Sequence, residues 1–150
     1  MKITLTRLTQ SSVDIVLPMM RDYHLFEQLD MTDEERLKAI QPLLEEDGVG
    51  CIWTIAQDEI AIGYIALCFC YSIEFKGRDA FIDEFYIVPA HRGKGIGREV
   101  LSMLLEESRK LSLRAIHLEV SKTNERAMSL YSSVGFMPRS RYNLCTHILT

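Results

Sequence analysis

The run His91-Arg92-Gly93-Lys94-Gly95-Ile96-Gly97-Arg98 sets three alternating glycines among three cations. Without a Cβ at Gly93, Gly95 and Gly97, backbone N–H groups can converge on an anion. A helix starting at Ile96 adds unpaired amides and the positive end of its dipole. This is chemistry for a pyrophosphate. A Walker loop needs G-x-x-x-x-G-K-[ST], which is absent. A dinucleotide fingerprint needs G-x-G-x-x-G; Gly93 and Gly95 fit, but Arg98 stands where the third glycine is due, although Glu119 mimics the ribose-binding acid. The pattern [Q/R]-x-x-G-x-[G/A] is met by Arg92, Gly95 and Gly97. A plain flexible turn would use the same glycines. Just upstream, Asp83 and Glu84 interrupt an apolar stretch, where an unpaired charge is costly.

The elements that must position these groups follow from periodicity. Ile3 to Leu8 alternates as a strand. Two helical stretches come next: Asp14 to Leu29, broken or started near Pro18, and Thr32 to Glu46, with Thr32 as N-cap and Glu35 three residues on. Strands are expected at Cys51 to Ala56 and Ile60 to Tyr71, joined by a turn at Gln57-Asp58-Glu59, and at Ala80 to Val88, stopped by Pro89. Ile96 to Leu111 is a helix with Ile96, Val100, Leu104 and Leu111 near one face. A strand at Ala115 to Val120, a helix at Asn124 to Val134 ended by Gly135, and a strand at Leu144 to Leu149 complete the order, with room for a short strand near Phe136. The fold class is α/β: a mixed, mostly antiparallel sheet with one parallel β-α-β crossover and helices on both faces.

The 150 residues suit a single domain, 1–150. A net charge of −4 argues against a general nucleic-acid binder. No apolar run reaches membrane-spanning length, and the first residues lack the apolar core of a signal peptide. The expected location is the cytoplasm. Cys51, Cys68, Cys70 and Cys145 fit no zinc or redox spacing. A metal pair at Cys68 and Cys70 is conceivable, but free thiols are the simpler reading, and no metal is expected. His24, His91, His117 and His147 are scattered and read as surface or strand residues.

The whole run IDEFYIVPAHRGKGIGREVL resembles the cofactor segment of the GNAT acetyltransferase superfamily. So does Asn124-x-x-Ala127-x-x-Leu130-Tyr131-x-x-x-Gly135-Phe136. The resemblance covers roughly Cys51 to Phe136 and implies a single-domain GNAT-type acyltransferase with acetyl-CoA as cosubstrate. It implies that backbone groups around Tyr86, Ile87 and Val88 bind the pantetheine arm. It gives the pyrophosphate to the amides of Arg92, Gly93, Lys94, Gly95, Ile96, Gly97 and Arg98. Asn124 and Ala127 then contact the cofactor from the next helix, and Tyr131 matches the family's proton donor to the departing thiolate.

Acetylating an amine requires its neutral form. With a pKa near ~10.4, about one alkylammonium in 10³ is neutral at pH 7, a cost of roughly 4–5 kcal/mol. A carboxylate, directly or through water, can accept that proton. By its offset from Arg92, Asp83 matches the acid often assigned as base in related enzymes; Glu84 is the second choice. As strand neighbours they should face opposite ways and differ in role. No Cys–His pair suggests a covalent intermediate, so direct transfer in a ternary complex is expected.

The family's variable region, which roofs the acceptor, falls on Asp14 to Glu46. Here Asp22, Glu27, Asp30, Asp33, Glu34, Glu35, Glu45, Glu46 and Asp47 face only Arg36 and Lys38 as cations over that span. An acidic roof suits a small cationic amine; a solvated helix face is the plainer reading. Tyr23, Phe26 and Trp53 could add aromatic contacts to a cation, and are equally good core residues. Alternatives left open are a protein or peptide amine as acceptor, and an acetyl-CoA-binding sensor or partner domain. Oligomeric state is also open, a homodimer included.

Overall fold

Alternating strands and tight turns build the sheet in this computed structural model, which describes residues 1–149. Two compact units are distinguished, residues 1–119 and the residues from 120 onward, and each is treated by itself.

In the first unit β1 (Ile3–Arg7), β2 (Gly50–Gln57), β3 (Ile60–Ser72) and β4 (Gly77–Ile87) form an antiparallel meander. β5 (Ile116–His117) joins β4 in parallel, giving the order β1-β2-β3-β4-β5. The β2–β3 hairpin turns at Asp58 and Glu59, with φ of 48° and 70°. Positive φ at both central residues gives the twist that paired strands need.

Three helices serve this sheet: α1 (Val13–Phe26), α2 (Asp33–Glu45) and α3 (Ile96–Lys110). Thr32 caps α2 as expected: its Oγ1 accepts from the Glu35 N–H at 3.2 Å, and Glu35 Oε2 accepts from the Thr32 N–H at 2.7 Å. Pro18 neither starts nor breaks α1. The N–H it lacks would serve the carbonyl of Asp14, an exposed first-turn residue that water can satisfy.

α1 lies against β3 and β4, and α2 against β2. Val16, Met19, Met20 and Ile40 pack there with Leu8, Ile52, Tyr64, Ala66 and Tyr86. Strand alternation turns Trp53, Ile55, Ile65 and Leu67 to the other face, and all four are buried. α3 lies against β1 and buries Ile96, Val100, Leu101 and Leu104. The sheet therefore has helices on both faces, and the parallel crossover is β4–α3–β5.

The second unit holds α4 (Glu125–Ser133). Ala127, Leu130, Tyr131 and Val134 form its half-buried stripe. Gly135 follows with φ 96°, and the Phe136 N–H returns to the Tyr131 carbonyl at 3.1 Å. Phe136 thus belongs to a helix ending, not to a strand.

Two further expectations need correction. The strand expected at Ala115 to Val120 contracts to Ile116–His117. The strand expected at Leu144 to Leu149 does not form, and this stretch is exposed. Alternation marks a segment able to pair; only a partner edge, which periodicity cannot supply, makes it a strand.

Candidate active site

The loop between β4 and α3 is built to receive an anion. A short turn, Pro89–His91, leads from β4, and the His91 ring is held against Gln57 Oε1 at 2.8 Å. Gly93 and Gly95 take φ of 76° and 82°, conformations that oppose side chains. Gly95 is the N-cap of α3, and a Cβ built there would meet nothing within 4 Å. The Gly95 carbonyl accepts from the Glu99 N–H at 3.2 Å, and no loop carbonyl among the described residues takes the amides of residues 93–98. Buried Ile96 anchors the far end of the loop. Exposed, unpaired amides at a helix start with open space before them fit a diphosphate.

The cations behave differently from one another. Arg92 Nε donates to the Ile87 carbonyl at 2.6 Å, and its guanidinium lies 5.2 Å from the Tyr86 ring centre. It clamps the end of β4, and its backbone N–H donates to the Pro89 carbonyl at 3.2 Å, so the amides left for an anion begin at Gly93. Lys94 Nζ donates to the Ala90 carbonyl at 3.0 Å. Arg98 is exposed on the first turn of α3.

β4 pairs with β5 only at Ala80 and Phe81. Among the described residues that edge carries no paired strand from Ile82 to Val88, which is the backbone an extended arm would need. The carbonyl of Ile87 is already taken by Arg92; the Val88 N–H is spent on the Ile62 carbonyl at 2.8 Å.

Asp83 and Glu84 depart from the expected alternation. β3 pairs Ala66 with Glu84 and Leu67 with Ile82, so Asp83 has no opposite residue and forms a bulge. Cys68 pairs with Phe81, and Cys68 shares a face with Ala66. Phe81 and Asp83 lie on that face too, as does Glu84 opposite Ala66. The bulge therefore brings both carboxylates to the α1 side of the sheet, where simple alternation had separated them. Their charges add to burial in pushing the Cys68 thiol up to about 11.

The two acids are held very differently. Asp83 is exposed and makes no hydrogen bond or ion pair among the described residues. Glu84 is half-buried; its Oε1 accepts from the Tyr64 hydroxyl at 2.8 Å, and its Oε2 lies 2.6 Å from His24 Nε2. Arg36 Nε donates to His24 Nδ1 at 2.9 Å. Since an arginine Nε can only donate, Nδ1 accepts and the ring hydrogen sits on Nε2, facing Glu84. Arg36 also binds Asp33 at 2.6 Å and the Met31 carbonyl at 2.9 Å. Burial first, then the Glu84 charge, holds the Tyr64 phenol protonated far above its ordinary range. Tyr23, Tyr64 and Tyr86 complete the surroundings, with ring centres 6.2–6.4 Å apart.

His24, Arg36 and Tyr64 escaped sequence reasoning as site residues. Arg36 carried a usable signal, because it lies four residues before buried Ile40 on α2 and so on its inner face. A cation there demands a partner. Trp53 takes the core alternative: it is buried on the opposite face, with Arg7 over its ring at 5.4 Å. Phe26 is exposed at the end of α1. Of the acidic roof, Asp33 is bound by Arg21 and Arg36, Glu34 by Lys38, and Glu35 by the Thr32 cap.

In the second unit Asn124 caps α4, its Oδ1 accepting from the Ala127 N–H at 3.1 Å. Tyr131 packs edge-to-face on Phe136, ring centres 5.9 Å apart. Burial raises its phenol above the ordinary value, so it keeps its proton at neutral pH.

Comparison with known proteins gives the family and the fold. The sequence model of the acetyltransferase (GNAT) family matches residues 15–136. The thialysine N-epsilon-acetyltransferase of Bos taurus is 33% identical over 79 residues, covering 53% of this chain and 46% of that protein. Its Mus musculus counterpart is 25% identical over 139 residues, covering 84% and 79%. The chain thus spans about half of the bovine enzyme in one match and most of the mouse enzyme in the other. A solved structure of a probable acetyltransferase shares the fold, with a TM-score of 0.86 at 20% identity over 100% of this chain and 99% of that one. The chain belongs to the acetyltransferase (GNAT) family of acetyl-CoA-dependent N-acetyltransferases.

Proposed function

We propose that this protein moves the acetyl group of acetyl-CoA directly to a primary amine of a small, cationic acceptor, with residues 1–150 acting as one catalytic domain in the cytoplasm. The carrying observation is the bulge on β4, which presents an exposed carboxylate, Asp83, beside an anchored one, Glu84. Acetyl-CoA supplies the activated acetyl thioester. The amides from Gly93 to Arg98 bind its diphosphate, the open edge around Tyr86, Ile87 and Val88 takes its arm, and Asn124 and Ala127 contact it from α4. Asp83 accepts the amine proton, directly or through water, with Glu84 as the alternative acceptor. Tyr131 delivers a proton to the departing sulfur.

Two relatives are named for acetylation at an N-epsilon amine of thialysine. That supports an alkyl amine as acceptor here. Among the described residues no helix is long and apolar enough to cross a membrane. The test is coenzyme A release over a panel of polyamines, aminoglycosides, amino acids and peptides, with both substrates varied. Intersecting initial-velocity lines with a small amine support direct transfer. Parallel lines would overturn it, and a peptide N-terminus as best acceptor would overturn the substrate class.

A further inference from the structure

We infer that His24 is a positioning residue for acetyl transfer: held by Arg36, its Nε2–H fixes Glu84 and with it the bulge that presents Asp83. The inference rests on the reading of Asp83 as proton acceptor and explains what keeps that residue in place.

Asp83 has no partner residue on β3, so the regular ladder does not set its direction. Its neighbours must. Ile82 is buried on one side. On the other, both oxygens of Glu84 are tied, one to Tyr64 from β3 and one to His24 from α1. His24 is tied in turn to Arg36 on α2. His24 and Arg36 are 3% and 5% exposed, on helices whose other buried residues are Val16, Met19, Met20 and Ile40. Polar groups this deep are costly unless fully bonded, and apolar residues could fill the same space. Hydrogen bonds from β3 and α1 nevertheless converge on the second residue of the bulge, and α2 braces them through His24.

The two ring nitrogens of His24 have separable partners, which makes the role testable. A glutamine at this position can place an amide N–H near the Nε2 site and keep the bond to Glu84. An asparagine reaches only the Nδ1 site and keeps the bond from Arg36. If His24 acts through Glu84, His24→Gln keeps kcat within about threefold of the parent, and His24→Asn lowers it by roughly tenfold or more. Acetyl-CoA affinity, set by the loop at residues 93–98, stays unchanged in both. In a Glu84→Ala background, His24→Asn costs nothing further, because the group it positions is gone.

The measurement is kcat and KM of the full chain for the best amine, with acetyl-CoA affinity by calorimetry. Equal kcat for the Gln and Asn variants, or full additivity with Glu84→Ala, overturns the proposal. Nitrogen-15 spectra of the unaltered protein give a second test that needs no variant to fold. They should show His24 with its hydrogen on Nε2 alone; a hydrogen on Nδ1 overturns the relay. Asp83→Asn is measured in parallel. Full activity in that variant would remove the base assignment, whereas the Gln–Asn comparison reads the His24–Glu84 link itself.

Discussion

At the scale of single residues, the two adjacent acids invite a division of labour. Asp83 is exposed and unbonded among the described residues, free to meet a substrate; Glu84 is held at both oxygens. Asp83→Asn should therefore lower kcat by about 10²–10³-fold and remove the acidic limb of the pH–rate profile. Glu84→Gln, which can still accept from His24, should cost only about tenfold and keep the limb. The opposite ranking would make Glu84 the base. Tyr131 stays protonated through burial, with no charged neighbour among the causes. Tyr131→Phe should cost roughly 10²-fold in kcat with chemistry rate-limiting, and an unchanged kcat would return the side chain to packing. The identities of these residues were legible in the sequence. Their shared facing was not, because a bulge is a fault in pairing between two strands and leaves no mark on the period of one. The imidazole of His24 was illegible for a related reason: its partners lie 12 and 60 positions away along the chain.

At the scale of elements, the loop and its helix were the most legible part, since glycines at fixed offsets before an apolar stripe have few other uses. Gly95 joins two demands, a positive φ and the N-cap of α3. Aspartate tolerates that φ better than most residues and is a good N-cap. Gly95→Asp should therefore leave the thermal midpoint within a few degrees while placing a negative charge where the diphosphate must sit. Calorimetry should show acetyl-CoA affinity falling by about 10²-fold or more; unaltered affinity would mean that the loop has another purpose. The strands carry a different test. Burial pushes Cys51 and Cys68 up to about 11, while Cys70 and Cys145 are exposed. At pH 8 an alkylating reagent should label Cys70 and Cys145 first, and rapid labelling of Cys51 would contradict its place in β2. Both thiols, Cys51 buried and Cys68 half-buried, have raised folded values, so their contribution is full below about 9 and is lost as pH rises toward 11. Cys51→Ala should flatten that alkaline loss, followed by the denaturant midpoint. The terminal segment from Leu144 was misread because exposed alternating residues cost nothing to write and pair with nothing on their own.

At the scale of the whole molecule, the question is which charges reach out to an acceptor. The sequence offers nine acids from Asp22 to Asp47, and the structure divides them. Asp33 lies between Arg21 at 2.9 Å and Arg36 at 2.6 Å, and the Arg21 hydrogen bond holds its carboxyl below the usual value. Glu34 is paired with Lys38 at 2.9 Å, and Glu35 closes the cap of α2. Charges already paired or tied to a helix cap attract a distant cation weakly, which leaves Asp22, Glu27, Asp30, Glu45, Glu46 and Asp47 as the exposed remainder. Glu27 and Asp30 stand between α1 and α2, just past the helix that carries Tyr23 and His24. Long-range attraction between exposed charges is screened over about 8–10 Å near physiological ionic strength. For a polyamine acceptor, kcat/KM should therefore fall as salt rises, and most of that fall should lie in the encounter step. Glu27→Gln with Asp30→Asn should flatten the salt dependence for a polyamine and leave a neutral amine untouched. Asp33→Asn should do the reverse: it releases Arg21 and Arg36, so it lowers stability and kcat while the salt slope stays. The measurement is kcat/KM at low and high ionic strength for a polyamine and a neutral amine across these variants. A salt slope that survives loss of both Glu27 and Asp30 would make the acidic region a solvated surface, and the acceptor's charge would then have to be read by Asp83 and its neighbours alone.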